Sequence, residues 1–132
     1  MDKVFLLGRI FFSYYFIKSG VNHFLNLEGM TGYTASKGVP LPELAVIVTG
    51  ILLLLGGISI FTGYYPKIGA YLLIAFLVPV TIIMHDFWNI DDAAARAGQL
   101  SRFLRNFTFL GACLIFLSLP EPWAFSLKIG KK

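Results

Sequence analysis

The sequence predicts an all-α integral membrane protein, a single domain over residues 1–132 built as a four-helix bundle. Three observations predict it. Hydrophobic residues make up 57% of the chain and charged residues 14%, and the mean hydropathy is +0.75, well outside the range of soluble domains. The apolar residues gather in four stretches, each close to the roughly 20 residues that a helix needs to cross about 30 Å of hydrocarbon. Low-complexity segments and a second domain are missing, and open strands cannot satisfy their backbones in lipid, which leaves a closed helical bundle.

The first span is expected over 4–23. Its start, "MDKVFLLGRIFF", has the charged head and apolar body of a signal peptide, yet no small-residue cleavage site follows, so it reads as a retained helix. At about 3.6 residues per turn, Arg9, Ser13, Phe16, Gly20 and His23 fall on one stripe, with Lys18 nearly opposite as an interfacial anchor. Arg9 cannot cheaply face lipid. It either snorkels to the near surface or turns inward to pair with Glu121 or with the hydroxyls of Tyr64 or Tyr65, all expected at its end of the bundle.

The second span, expected over 43–63 and containing "ILLLLGGISIFTG", is the most uniformly apolar. The third, 67–85, carries Pro79, which removes a backbone donor and is expected to kink or loosen the helix near Ala75. The fourth, 103–120, lengthens if its lead-in "LSRFLRN" is helical, as the spacing of Leu100, Phe103, Leu104 and Phe107 suggests. The connections are a loop, "NLEGMTGYTASKGVPLPE", a tight "YYPK" turn, and the polar "NIDDAAARAGQ". Thr49, Gly56 and Gly63 recur every seven residues, as do Gly50 with Gly57 and Gly111 with Ser118, the spacing of a packed helix seam.

The formal charge of +4 invites an anionic partner. Because the basic residues are scattered, apart from Lys128, Lys131 and Lys132, the lipid bilayer is the expected partner and nucleic acid is not. Four crossings place both termini on one side with Lys3, Arg9 and Lys67, against Lys18, Lys37, Arg96, Arg102 and Arg105 on the other. The basic balance favours cytoplasmic termini.

The same topology brings His23 and His85, the two histidines of the chain, to one membrane face, together with Asn22, Glu43, Asp86, Trp88, Arg102, Arg105 and Asn106. Three readings stay open for this "MHDFW" end. It is an interfacial belt of aromatics and charges, a pocket in which histidine and arginine donors between aromatic walls hold a quinone, phenol or lipid carbonyl, or a bis-histidine haem or metal site. Two histidines and a neighbouring carboxylate make a weak metal motif, so no metal ligands are assigned. The candidate ligand-binding residues are Arg9, Ser13, His23, His85, Trp88, Arg102, Arg105 and Asn106.

The single cysteine, Cys113, forms neither an internal disulfide nor a CxxC pair and is expected as a small buried apolar residue. No Ser/His/Asp arrangement, phosphate loop or dinucleotide fingerprint is present, so no catalytic residue is assigned.

Taken in order, "GRIFFSYYFIKSGVNHF", "KGVPLPELA", "GGISIFTGYYPKIGA", "MHDFW" and "FLRNFTFLGACLIF" resemble the DoxX family of small membrane proteins across nearly the whole chain. The resemblance implies a four-helix protein of the bacterial inner membrane. It also implies a link to quinone, catechol or oxidative-stress chemistry, since the family is similar to a subunit of thiosulfate:quinone oxidoreductase. The positions it carries over are Arg9, Ser19, Gly20, Pro40, Gly56, Gly57, Gly63, His85, Arg105 and Asn106. Many relatives have an acidic residue a few positions before the glycine pair, where this chain has Leu53, and that departure weakens a proton-coupled role.

The expected function is therefore an accessory, redox-associated membrane subunit that binds a quinone-like or other small hydrophobic molecule, or a lipid, beside a redox-protein partner. Intrinsic activity is not expected, except as part of a quinone-linked oxidoreductase complex. The alternative is a structural or assembly subunit, a homodimer without a ligand.

Overall fold

A computed structural model describes residues 1–128, and Lys131 and Lys132 of the C-terminal basic cluster lie outside the described residues. The chain forms α1 (Asp2–Leu25), α2 (Leu27–Ser36), α3 (Pro42–Thr62), α4 (Pro66–Met84), a 3-10 turn (Phe87–Asn89) and α5 (Ala93–Ser118), with no strand among the described residues. Four helices, α1, α3, α4 and α5, are long and apolar enough to cross a membrane. Their outward faces carry Phe11, Leu55, Ile58, Tyr71 and Ile115, while Arg9, Ser13, His23, Thr81 and Asn106 are buried. Large apolar side chains facing outward, with the few polar ones held inside among an apolar core, is the arrangement that lipid, rather than water, stabilises.

Two connections differ from expectation. The segment read as one loop after the first span holds α2, which packs on α3. Its two glycines and two threonines are poor helix formers, and it is this packing that carries it. The fourth span begins at Ala93, not 103. Asp92 caps it, its side chain accepting from the Ala95 N–H at 2.8 Å, and the alanine-rich "AAARA" that follows has the highest helix propensity in the chain. At 26 residues α5 is about 39 Å long, so its charged first turns project beyond the hydrocarbon. The "YYPK" turn is tight as expected: Gly63 (φ 69°) and Tyr65 (φ 47°) are left-handed and Pro66 opens α4, which runs unbroken through Pro79.

The stripe expected on α1 is its buried face, made of Arg9, Ser13, Phe16, Gly20 and His23. It lies against α3 at close range. A Cβ on Gly20 would sit 2.8 Å from Leu54, one on Gly50 2.9 Å from His23, and one on Gly57 2.9 Å from Ile17. Gly56 meets Leu73 and the Gly69 carbonyl in the same way across α3 and α4. Gly111 has nothing within 4 Å and Ser118 is exposed, so the last pair of the expected seam does not pack inside the bundle. Without such a seam α1 and α5 stay apart and meet through Phe12, Phe16, Phe109 and Phe116, with ring centroids 5.0–6.0 Å apart.

Arg9 turns inward, 1% exposed, and takes none of the partners expected for it. Nε donates to the Ile60 carbonyl at 3.1 Å, Nη2 to the Phe61 carbonyl at 2.8 Å and Nη1 to the Ala124 carbonyl at 2.6 Å, with the Phe5 and Trp123 rings on its flanks. Glu121 instead accepts from the Lys67 backbone N–H, and the Tyr64 ring meets Tyr65 edge to face. The guanidinium therefore caps the C-terminus of α3, where unpaired carbonyls concentrate negative potential. It also fastens the segment after α5, whose Leu127 N–H bonds to the Thr62 carbonyl at 2.9 Å.

Arg9→Met should lower stability by about 3 kcal/mol or more, because carbonyls that have no water lose a charged donor, and should lower the Tm of helix loss in detergent. Gly56→Val should cost about 1–3 kcal/mol through overpacking against Leu73, whereas Gly111→Ala should leave the Tm unchanged or raised.

Candidate ligand-binding site

At the opposite end from Arg9 the wider gap between α1 and α5 opens into a cavity of about 320 Å³. Every helix contributes. Tyr15, Ser19 and His23 come from α1, Met30, Tyr33 and Thr34 from α2, Val46 and Thr49 from α3, Phe76, Val80 and Met84 from α4, and Arg105 and Asn106 from α5, with His85 at the end of α4. The walls are mainly apolar and aromatic, with a few convergent polar groups, the pattern of a small-molecule site.

Asn106 is 5% exposed and borders the cavity, and its amide makes no hydrogen bond among the described residues. His23, 6% exposed, uses Nδ1 on the Ser19 carbonyl one turn back along α1 at 2.8 Å. His85 uses Nδ1 on Gln99 Oε1 at 2.9 Å. Gln99 Nε2 in turn donates to the Tyr33 hydroxyl at 3.3 Å, and that hydroxyl donates to the Met84 carbonyl at 3.0 Å. Each imidazole is thus held by one nitrogen, and its other nitrogen has no partner among the described residues. The buried side-chain atoms left without a partner among the described residues are Thr31 Oγ1 and Trp123 Nε1, so the free atoms of His23, His85 and Asn106 are not sealed in protein and stay accessible to an occupant with polar atoms.

α2 lines the cavity with Met30, Tyr33 and Thr34 and is latched at its C-terminal end. Lys37 Nζ, just past its C-terminus, meets Asp86 Oδ1 at 2.6 Å and lies 5.8 Å from the Tyr33 ring centroid. Asp86 Oδ2 accepts from Asn89 at 3.1 Å, which ties the latch to the 3-10 turn. On the α5 side, the Arg105 guanidinium lies 5.4 Å over the Tyr15 ring.

Of the sequence-predicted residues, His23, His85, Arg105 and Asn106 come together here. Arg9 and Ser13 do not. Arg9 is committed to backbone carbonyls at the other end, and the Ser13 hydroxyl donates to the Arg9 carbonyl, so neither group is available to a ligand in this cavity. Trp88, 52% exposed, meets Phe87 and Phe103 edge to face on the outer flank, where an interfacial aromatic belt belongs, and Arg102 is exposed beyond the lining. The "MHDFW" stretch is thus divided: His85 lines the cavity, Asp86 latches α2, and Trp88 faces outward. Cys113 is fully buried in the apolar core as expected, and no group of three or more His, Cys, Asp or Glu gathers among the described residues.

Sequence reasoning missed Tyr33, Lys37 and Gln99. Met30, Tyr33, Thr34 and Lys37 carry helical spacing inside a segment taken for a loop. Gln99, Phe103, Asn106, Leu110, Cys113 and Leu117 form the inward heptad stripe of α5; the lead-in "LSRFLRN" is helical as its spacing suggests, and Gln99 lies just before it in the part read as connection.

The DoxX family model matches residues 4–86, from the start of α1 to the latch aspartate, so Arg105 and Asn106 fall outside it. Inner membrane protein YphA of Escherichia coli (strain K12) is 30% identical over 122 residues, covering 92% of this chain and 86% of that protein. No solved structure matches the chain. With four apolar helices long enough to span a membrane, and the family match running through three of those spans, this chain belongs to the DoxX family, multi-pass integral proteins of the bacterial inner membrane.

Proposed function

We propose that this protein is an accessory, redox-associated membrane subunit that holds the polar head of a quinone-like or other small hydrophobic molecule in the cavity at its histidine end. The observation that carries the reading is the cavity itself: an apolar, aromatic chamber in which His23, His85 and Asn106 keep unpaired polar atoms. A volume of about 320 Å³ suits one substituted ring, with any tail leaving through the gap between α1 and α5. The binding residues in this reading are His23, His85, Asn106 and, at the rim, Arg105. Association with a redox partner rests on the family resemblance to a quinone-linked oxidoreductase subunit. Leu53 is fully buried in the apolar core where many relatives carry an acid, which favours holding a molecule over relaying protons through this chain.

The charge balance supports cytoplasmic termini and an outward-facing cavity. Gly98 on α5 has open space around it and Cys113 is inaccessible, so a membrane-impermeant maleimide applied to intact cells should label Gly98→Cys and spare Asp2→Cys. The reverse pattern would invert the orientation.

Native mass spectrometry in mild detergent, followed by solvent extraction, should find a quinone, phenolic or lipid species in fixed ratio to the chain. His85→Ala should lose that species while keeping its helical content. Empty protein that only dimerises would instead support a structural subunit.

A further inference from the structure

We infer that the head group this cavity selects is a hydroxyl, as in a phenol or the reduced, quinol form of a quinone, in preference to a carbonyl. The inference rests on the cavity reading above and adds the hydrogen-bond polarity of the site.

Polarity follows from groups that have no choice. The Met84 carbonyl only accepts, so it takes the single proton of the Tyr33 hydroxyl. With that proton spent, Tyr33 accepts, and Gln99 must turn its NH2 towards it at 3.3 Å. The Gln99 oxygen then faces His85, so His85 Nδ1 carries a proton and donates at 2.9 Å. His23 is fixed more directly, because its Nδ1 lies 2.8 Å from the Ser19 carbonyl, which also only accepts. Both neutral imidazoles that line the cavity therefore present Nε2 as a bare acceptor.

Two imidazole lone pairs call for a donor. A hydroxyl donates to one Nε2 and at the same time accepts from the unpartnered Asn106 amide, satisfying both kinds of group. A quinone carbonyl of the same shape satisfies Asn106 or Arg105 alone and leaves its oxygen lone pairs against the imidazole lone pairs. A site built around a hydroxyl discriminates strongly against an analogue that lacks it.

The test uses the whole protein in detergent micelles with 15N-labelled histidine, titrated under anaerobic conditions with tetramethylhydroquinone and with tetramethylbenzoquinone, which match in size. The hydroquinone should bind at least about tenfold tighter and shift an unprotonated imidazole Nε2 resonance on binding. Tyr33→Phe, at a partly exposed position, frees Gln99 to reverse and His85 to move its proton to Nε2, so the preference should shrink, but not vanish, because His23 keeps its acceptor, while binding persists. Equal or tighter binding of the quinone, or hydroquinone binding that moves neither Nε2 resonance, would overturn the hydroxyl preference and leave the cavity reading standing. Binding of neither molecule would remove both.

Discussion

A guanidinium buried inside a membrane bundle has no water to turn to, and the way Arg9 is satisfied organises one whole end of this molecule. Its donors go to the last carbonyls of α3 and to Ala124, so one side chain joins α1, α3 and the segment after α5. Among the described residues no carboxylate takes part. The charge is balanced by carbonyl dipoles at a helix C-terminus, where the macrodipole is negative, and by the faces of Phe5 and Trp123. Trp123 Nε1 is the one buried side-chain polar atom left unpaired at this end among the described residues.

The two ends of the bundle differ because helix separation differs along and around it. Glycines at 20, 50 and 57 bring α1 and α3 into close contact, and Gly56 with Gly69 does the same for α3 and α4. Between α1 and α5 there is no such pair, so phenylalanines span the gap. Beyond the Phe12–Phe16–Phe109 layer the gap is left open as the cavity. Close packing at one interface and its absence at another are thus the structural cause of the site. The groups at its wall are held by their own helices or by the Tyr33–Gln99 chain, which leaves the remaining polar atoms for an occupant.

α2 gives the cavity its roof at modest cost in stability. It is short, has glycines inside it and is fixed by the Lys37–Asp86 pair, the Tyr33 hydroxyl and contact with α3. An element of this kind opens more readily than the spanning helices, which share the buried core.

By itself the sequence determined the four spans apart from the start of the last, the inward stripe of α1, the shared end of the two histidines and the burial of Cys113, because hydropathy and a period of about 3.6 residues act locally and in lipid admit only helices. It also carried, unread, the helical spacing of α2 and the Asp92 cap of α5, which glycine content and charge had disguised. Only the tertiary structure decided that Arg9 is spent on carbonyls, that Ser13 bonds its own helix, that Trp88 faces outward and that Tyr33 and Gln99 set the proton on His85. These outcomes depend on which backbone acceptors other helices bring within about 3 Å, and residue type and spacing along one helix do not encode that distance.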